Sequence, residues 1–174
     1  MSRPAAVGSG PSDAQLADVA ARLGAALLDR GWLAVTAESS TAGLIGHAIT
    51  MIPGASRYYP GGVIAYSDWA KEVELAVDAA LLATHGAVSP EVAAAMAEGA
   101  RARFDADLGI AVTGIAGPEG AAPGKPVGLH FVAAVRRGHP PRVERHQFGL
   151  DRDGNKAAAA QAALELAIAE VQAA

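Results

Sequence analysis

Apolar residues recur at helical spacing between Asp13 and Arg30, where Leu16, Val19, Ala20, Leu23, Ala26 and Leu27 share one face and Gly31 follows as a stop. The pattern predicts an amphipathic helix there. Leu33-Ala-Val-Thr36 is continuously apolar and short enough for a buried strand. The hydroxyl cluster Ser39-Ser40-Thr41 then precedes an apolar helix ending near Thr50, and Val63-Ile64-Ala65 is a second short run. Asp68 or Ser67 is placed to cap a helix through about Val77, with a shorter helix over Asp78 to Thr84. Ser89-Pro90-Glu91 opens another helix reaching Phe104, with proline where its missing N–H costs nothing. Leu108 to Thr113 is a further buried strand. Val127 to Val135 and Arg142 to Phe148 pair across Gly138-His-Pro-Pro141, and a last helix covers about Asp153 to Ala173. Helices interleaved with apolar strands predict one three-layer α/β/α domain over residues 13–174, with a mixed, mostly buried sheet covered on both faces.

Composition narrows what such a domain does. At 174 residues the chain is long enough for one substantial core. Its 14 Lys plus Arg against 18 Asp plus Glu give a formal charge of −4, so it has no general attraction to nucleic acid. The nearest basic run, Arg136, Arg137, Arg142, Arg145 and His146, is interrupted by Glu144 and reads equally as a solvated hairpin. There is no cysteine, which excludes disulfides, thiolate metal sites and cysteine nucleophiles. Met1 to Ser12 is rich in Pro, Gly, Ser and Ala and lacks the apolar core of a signal peptide, so a disordered leader is expected. No stretch has the length and apolarity of a membrane span. A cytoplasmic location is expected, with no membrane partner.

Candidate chemistry concentrates in four places. The segment from Ile52 to Lys71 puts Ser56 in a Pro-Gly loop, Tyr66 at a strand end and Lys71 in the first turn of a helix. A hydroxyl nucleophile needs a base, and a lysine serves only if its pKa falls well below about 10.4. Ala37-Glu-Ser-Ser-Thr-Ala-Gly43 links a strand to a helix, so its hydroxyls and free N–H groups suit a phosphate or carboxylate; on spacing alone a plain N-cap also explains it. Thr113-Gly-Ile-Ala-Gly-Pro118 follows a buried strand and allows close backbone approach, but matches neither the dinucleotide nor the P-loop signature. Arg152 precedes the last helix and suits a phosphate through its planar fork, or is a solvated charge beside a cap. His47, His85, His130, His139 and His146 show no metal-ligand spacing, so neither a metal nor a cofactor is expected.

Six ordered segments carry a family resemblance. They are Ala37 to Gly43, Ile52-Pro-Gly-Ala-Ser56, Gly61-Gly62 with Ala65-Tyr-Ser67 and Lys71, His85-Gly-Ala-Val-Ser89, Thr113 to Pro118, and Lys125-Pro-Val-Gly128. Together they resemble the C-terminal domain of the competence/damage-inducible CinA family, whose stand-alone members include nicotinamide-nucleotide amidohydrolases. The resemblance implies metal-free hydrolysis of nicotinamide mononucleotide to nicotinate mononucleotide and ammonia. It places the family's catalytic serine, tyrosine and lysine on Ser56, Tyr66 and Lys71, and its substrate-side groups on Ser39, Thr113 and Arg152. It also implies a homodimer.

The chain departs from the family pattern at Ala42 and Ala121, where glycine is usual, and carries Leu150 as an extra residue before Asp151-Arg152. An added methyl beside a ligand-facing loop is expected to narrow a pocket. Two other readings stay open on sequence: a non-catalytic nucleotide-binding domain, and an interaction protein for competence or DNA damage, which the acidic balance opposes.

Overall fold

The hydrogen-bonded backbone follows the apolar pattern closely. The computed structural model describes residues 8–174. The first seven residues of the expected leader therefore lie outside the described residues, while Ser12 forms a capping box with Gln15 at the start of the first helix. That helix, α1 (Asp13–Arg30), buries Leu16, Val19, Ala20, Leu23 and Leu27 and ends on Gly31 at φ 66°, a left-handed conformation that suits glycine. There follow β1 (Ala34–Glu38), α2 (Leu44–Thr50), a 3-10 turn (Ala55–Arg57), β2 (Gly61–Ile64), α3 (Asp68–Leu75), α4 (Ala79–His85) and α5 (Pro90–Arg103). The chain closes with β3 (Leu108–Gly114), β4 (Leu129–Arg136), β5 (Arg142–Gln147) and α6 (Arg152–Gln172). Among the described residues no helix is long and apolar enough to cross a membrane.

The five strands form one sheet in the order β2-β1-β3-β4-β5. β1 runs parallel to β2 and β3, whereas β3–β4 and β4–β5 are antiparallel, so the sheet is mixed. Strand side chains alternate between faces, and both faces of the central strands are covered, which is why their runs are largely apolar. Ile110, Val112, Val132 and Ala134 pack with α1, α2 and α6 on one side. Val35, Ala37, Ala111, Phe131, Ala133 and Val135 pack beneath α3, α4 and α5 on the other. This is a three-layer α/β/α domain. Close helix approach depends on glycine: a Cβ at Gly109 would lie 2.1 Å from the Ala97 carbonyl oxygen, and one at Gly99 would lie 1.9 Å from that of Leu75.

Two features of this topology create a site. β1 extends to Glu38, two residues beyond the apolar run read from sequence, which sets Ser39 at the carboxyl end of the strand. The loop leaving β1 then turns to α2 on one face, while the loop leaving β2 turns to α3 on the other. Neighbouring parallel strands whose connections diverge open a crevice beyond their carboxyl ends. At the far side of the sheet, Arg136 pairs with Glu170, Arg137 with Asp105 and Arg142 with Glu144, whereas Arg145 makes no ion pair among the described residues. The first of these pairs is largely buried and the other two are solvated, so the run is mostly neutralised rather than an open basic face.

Candidate active site

A crevice of about 270 Å³ lies where β1, β2 and β3 end, lined by Ser39, Ser40, Tyr66, Lys71, Thr113, Arg152, the backbone of Gly114 to Gly117, and Glu119. Five of the residues singled out from sequence thus meet: Ser39, Tyr66, Lys71, Thr113 and Arg152. A larger cleft of about 390 Å³ lies between the starts of α1 and α6, but its titratable groups are Asp13, Asp151, Asp153 and Lys156, and it joins no hydroxyl to a buried amine. The smaller crevice is the one that brings hydroxyls, a buried amine and a guanidinium together.

Lys71 is the unusual group. It is the fourth residue of α3 and only 1% exposed, so its ammonium has lost most of its hydration. Its Nζ turns back along the helix toward the carbonyl oxygens of Tyr66 at 3.4 Å and Ser67 at 3.5 Å, with Asp68 Oδ1 at 3.7 Å. Burial pulls its pKa below the ordinary lysine value, and the Asp68 carboxylate opposes that shift. The main cause is therefore desolvation.

The hydroxyls around Lys71 differ in how they are engaged. Thr113 Oγ1 donates to the Ala87 carbonyl at 2.7 Å, tying β3 to the segment between α4 and α5. Its proton is therefore committed, although its lone pairs are still able to accept. Ser40 Oγ is fully covered and has no hydrogen-bond partner among the described residues. Ser39 lines the crevice at the end of β1, and its N–H donates to Val112 at 3.1 Å, which fixes the backbone beside β3. Tyr66 is 62% exposed and accepts from Arg152 Nη2 at 3.4 Å. Arg152, the first residue of α6, also donates through Nη1 to the Gly117 carbonyl at 2.6 Å, so its guanidinium spans the crevice mouth.

Ser56 is not in this crevice. It is exposed in the 3-10 turn before β2, beside Tyr58, whose carbonyl accepts from the N–H of Ala34 at the first residue of β1. That is the opposite end of the sheet. Gly61 to Ile64 intervene, and at about 3.3 Å per residue they hold the two ends roughly 10 Å apart. Nearness in sequence between Ser56 and Lys71 is thus undone by a strand running between them.

A serine or threonine cap, one of the two readings of Ala37 to Gly43, is not what starts α2. The helix begins after Gly43, at φ 99°, with no hydroxyl cap. Its free N–H groups are held instead by Glu38, 1% exposed, whose Oε2 accepts from Gly43 N at 2.9 Å, Ile45 N at 3.0 Å and Thr41 Oγ1 at 2.7 Å, and whose Oε1 accepts from Gly46 N at 2.8 Å. The carboxylate that this helix start attracts is the chain's own. A signal for it existed: Glu38 is the only charged residue between positions 32 and 46. Ala42 and Ala121, expected to narrow the pocket, are both exposed and line no part of it. Among the described residues no cluster of metal-ligating side chains occurs.

The match to known proteins covers this whole architecture. A family model described as the CinA C-terminal domain matches residues 16–171. A CinA-like protein of Salinibacter ruber is 48% identical over 143 residues, which is 82% of this chain and 34% of that protein. A CinA-like protein of Citrifermentans bemidjiense is 49% identical over 132 residues, 76% of this chain and 32% of its own length. The chain thus spans about a third of the length of the curated relatives it matches. Among solved structures, a competence-damaged protein (CinA) superfamily member from Klebsiella pneumoniae superposes with a TM-score of 0.88 at 33% identity, covering 91% of this chain and 99% of that one. The competence/damage-inducible protein CihA of Agrobacterium tumefaciens gives 0.87 at 37% identity, covering 93% and 98%.

Proposed function

This chain belongs to the CinA C-terminal domain family, and from that premise we propose that it is a nicotinamide-nucleotide amidohydrolase, releasing ammonia from the carboxamide of nicotinamide mononucleotide. The observation that carries the reading is Lys71: an amine 1% exposed, with a depressed pKa, in a crevice lined by hydroxyls and spanned at its mouth by an arginine. A desolvated lysine beside a hydroxyl is a base for nucleophilic attack on an amide. An arginine fork a short way off suits the phosphate of a mononucleotide.

Within this reading the nucleophile is Ser39 rather than Ser56. Thr113 has its proton on Ala87, Ser40 Oγ is fully covered, and Ser56 lies at the other end of the sheet. Neutral Lys71 takes the Ser39 proton as Oγ bonds to the carboxamide carbon. It then gives that proton to the leaving nitrogen as the C–N bond breaks and ammonia departs. Water, deprotonated by the same lysine, then adds to the acyl carbon. The lysine returns that proton to Ser39 Oγ as the ester C–O bond breaks, and the freed acid ionises to the carboxylate. The N–H of Ser40 donates to no acceptor among the described residues and adjoins the nucleophile, which suits it to the oxyanion. Arg152 and Tyr66 bind the phosphate end, and Thr113 Oγ1 accepts from the carboxamide.

The test is ammonia release from nicotinamide mononucleotide, with nicotinamide riboside and NAD as comparisons. Release from the mononucleotide, with little from the riboside, is expected. Saturable binding of the mononucleotide without turnover would instead select a non-catalytic nucleotide-binding domain.

A further inference from the structure

The crevice is lined by the guanidinium of Arg152, by the buried amine of Lys71, which acts as a neutral base in the proposed reaction, and by one acidic residue, Glu119. Glu119 makes no ion pair among the described residues. It sits on the loop between β3 and β4, and that loop is fastened at several points. At its start, the Gly117 carbonyl accepts from Arg152 at 2.6 Å. At its far end, Ala122 and Lys125 exchange backbone hydrogen bonds of 2.9 and 2.8 Å, and Lys125 Nζ donates to the His85 carbonyl at 2.6 Å. The carboxylate is therefore carried on a tethered backbone at the crevice wall, so only its side chain has to be ordered when a ligand meets it.

An unpaired negative charge across the crevice from the Arg152 guanidinium sorts ligands by where their own charges lie. A phosphate is attracted to Arg152 and repelled by Glu119. A ring bearing positive charge has the reverse preference, and a neutral ring gains nothing from the carboxylate. Resting on the function proposed above, we infer that Glu119 is a specificity-determining residue that favours the cationic pyridinium ring of the substrate over its neutral dihydropyridine counterpart. The two molecules share the carboxamide, ribose and phosphate, so the ring charge is what the carboxylate distinguishes. Both the ring and Glu119 are partly solvated, which limits the preference to the range of exposed charge pairs.

Glu119→Gln keeps the size of the side chain and removes its charge. The experiment compares wild type and Glu119→Gln on nicotinamide mononucleotide and on reduced nicotinamide mononucleotide, the latter as substrate or as competitive inhibitor. The expected result is a KM for the oxidised form raised about two- to fivefold with kcat within twofold, while the constant for the reduced form changes less than about 1.5-fold. Unchanged constants for both forms, or equal shifts in both, would overturn the inference. A wild type that releases no ammonia from the mononucleotide would instead count against the amidohydrolase reading. In that case calorimetric binding of the two forms to both variants still reads the charge preference, and equal affinity ratios overturn it.

Discussion

Ser56 and Lys71 are separated by the length of β2: one lies in the 3-10 turn that enters the strand, the other in the helix that follows it. The serine sits where β1 begins and the lysine where β1 ends. This relationship moves the nucleophile in the proposed reaction to Ser39. Ser39→Ala should lose about a thousandfold or more in kcat, as removal of a nucleophile does, whereas Ser56→Ala should stay within about twofold of wild type. Steady-state ammonia release from the two variants checks it, and the opposite ranking would restore Ser56.

The pH profile follows from Lys71. A lysine accepts a proton only when neutral, so kcat/KM rises with pH through its pKa, and burial places that rise below the range of an exposed lysine. Asp68 stabilises the ammonium and holds the pKa up. Asp68→Asn should therefore move the rising limb to lower pH while leaving the plateau rate near wild type. An unmoved or upward-shifted limb would separate Asp68 from the titration.

Arg152 makes a prediction by substrate. Its guanidinium reaches both Gly117 and Tyr66 from the start of α6. Loss of a charge-assisted contact to a phosphate costs roughly 10- to 100-fold in kcat/KM. Arg152→Ala should show that loss on the mononucleotide, and little change on the riboside, which has no phosphate. Equal losses on both would assign Arg152 to holding the Gly117 loop alone.

Glu38 is predicted to matter for stability rather than chemistry. Its buried carboxylate holds Thr41, Gly43, Ile45 and Gly46. In Glu38→Gln an amide group would face some of those donors, at a cost of about 2–4 kcal/mol. Thermal unfolding should show a Tm lower by roughly 5–15 °C. A shift under about 2 °C would mean that other groups hold the start of α2.

Ala42 is held at φ 53°, a left-handed conformation that costs a residue with a Cβ about 1 kcal/mol. Ala42→Gly should raise Tm by roughly 2–4 °C and leave KM unchanged, because the methyl lies outside the crevice. A several-fold fall in KM would show that the methyl does restrict the substrate.

The layered fold was legible in the sequence because each element carries its own signal. Leu16 to Leu27 mark one helix face, Ser89-Pro90 a helix start, and Leu108 to Thr113 a strand buried on both sides. Lys71, Tyr66, Ser39, Thr113 and Arg152 were legible as chemical residue types at element ends. Glu38 was not recognised, since a carboxylate after an apolar run shows its use only once four donors close around it. Glu119 lacked any periodic or motif context, and its place on the crevice wall comes from where the tethered loop runs.

The sequence by itself determined the order and type of the elements, the absence of cysteine chemistry and the family, because periodicity, caps and ordered motifs are local. Only the tertiary structure decided which hydroxyls line one crevice with Lys71. Ser56 is 15 positions from the lysine and Ser39 is 32, yet it is Ser39 that shares the crevice. The physical reason is parallel pairing: β1 and β2 run side by side, so residues following the two strands converge at one end, while a residue before β2 is carried to the other.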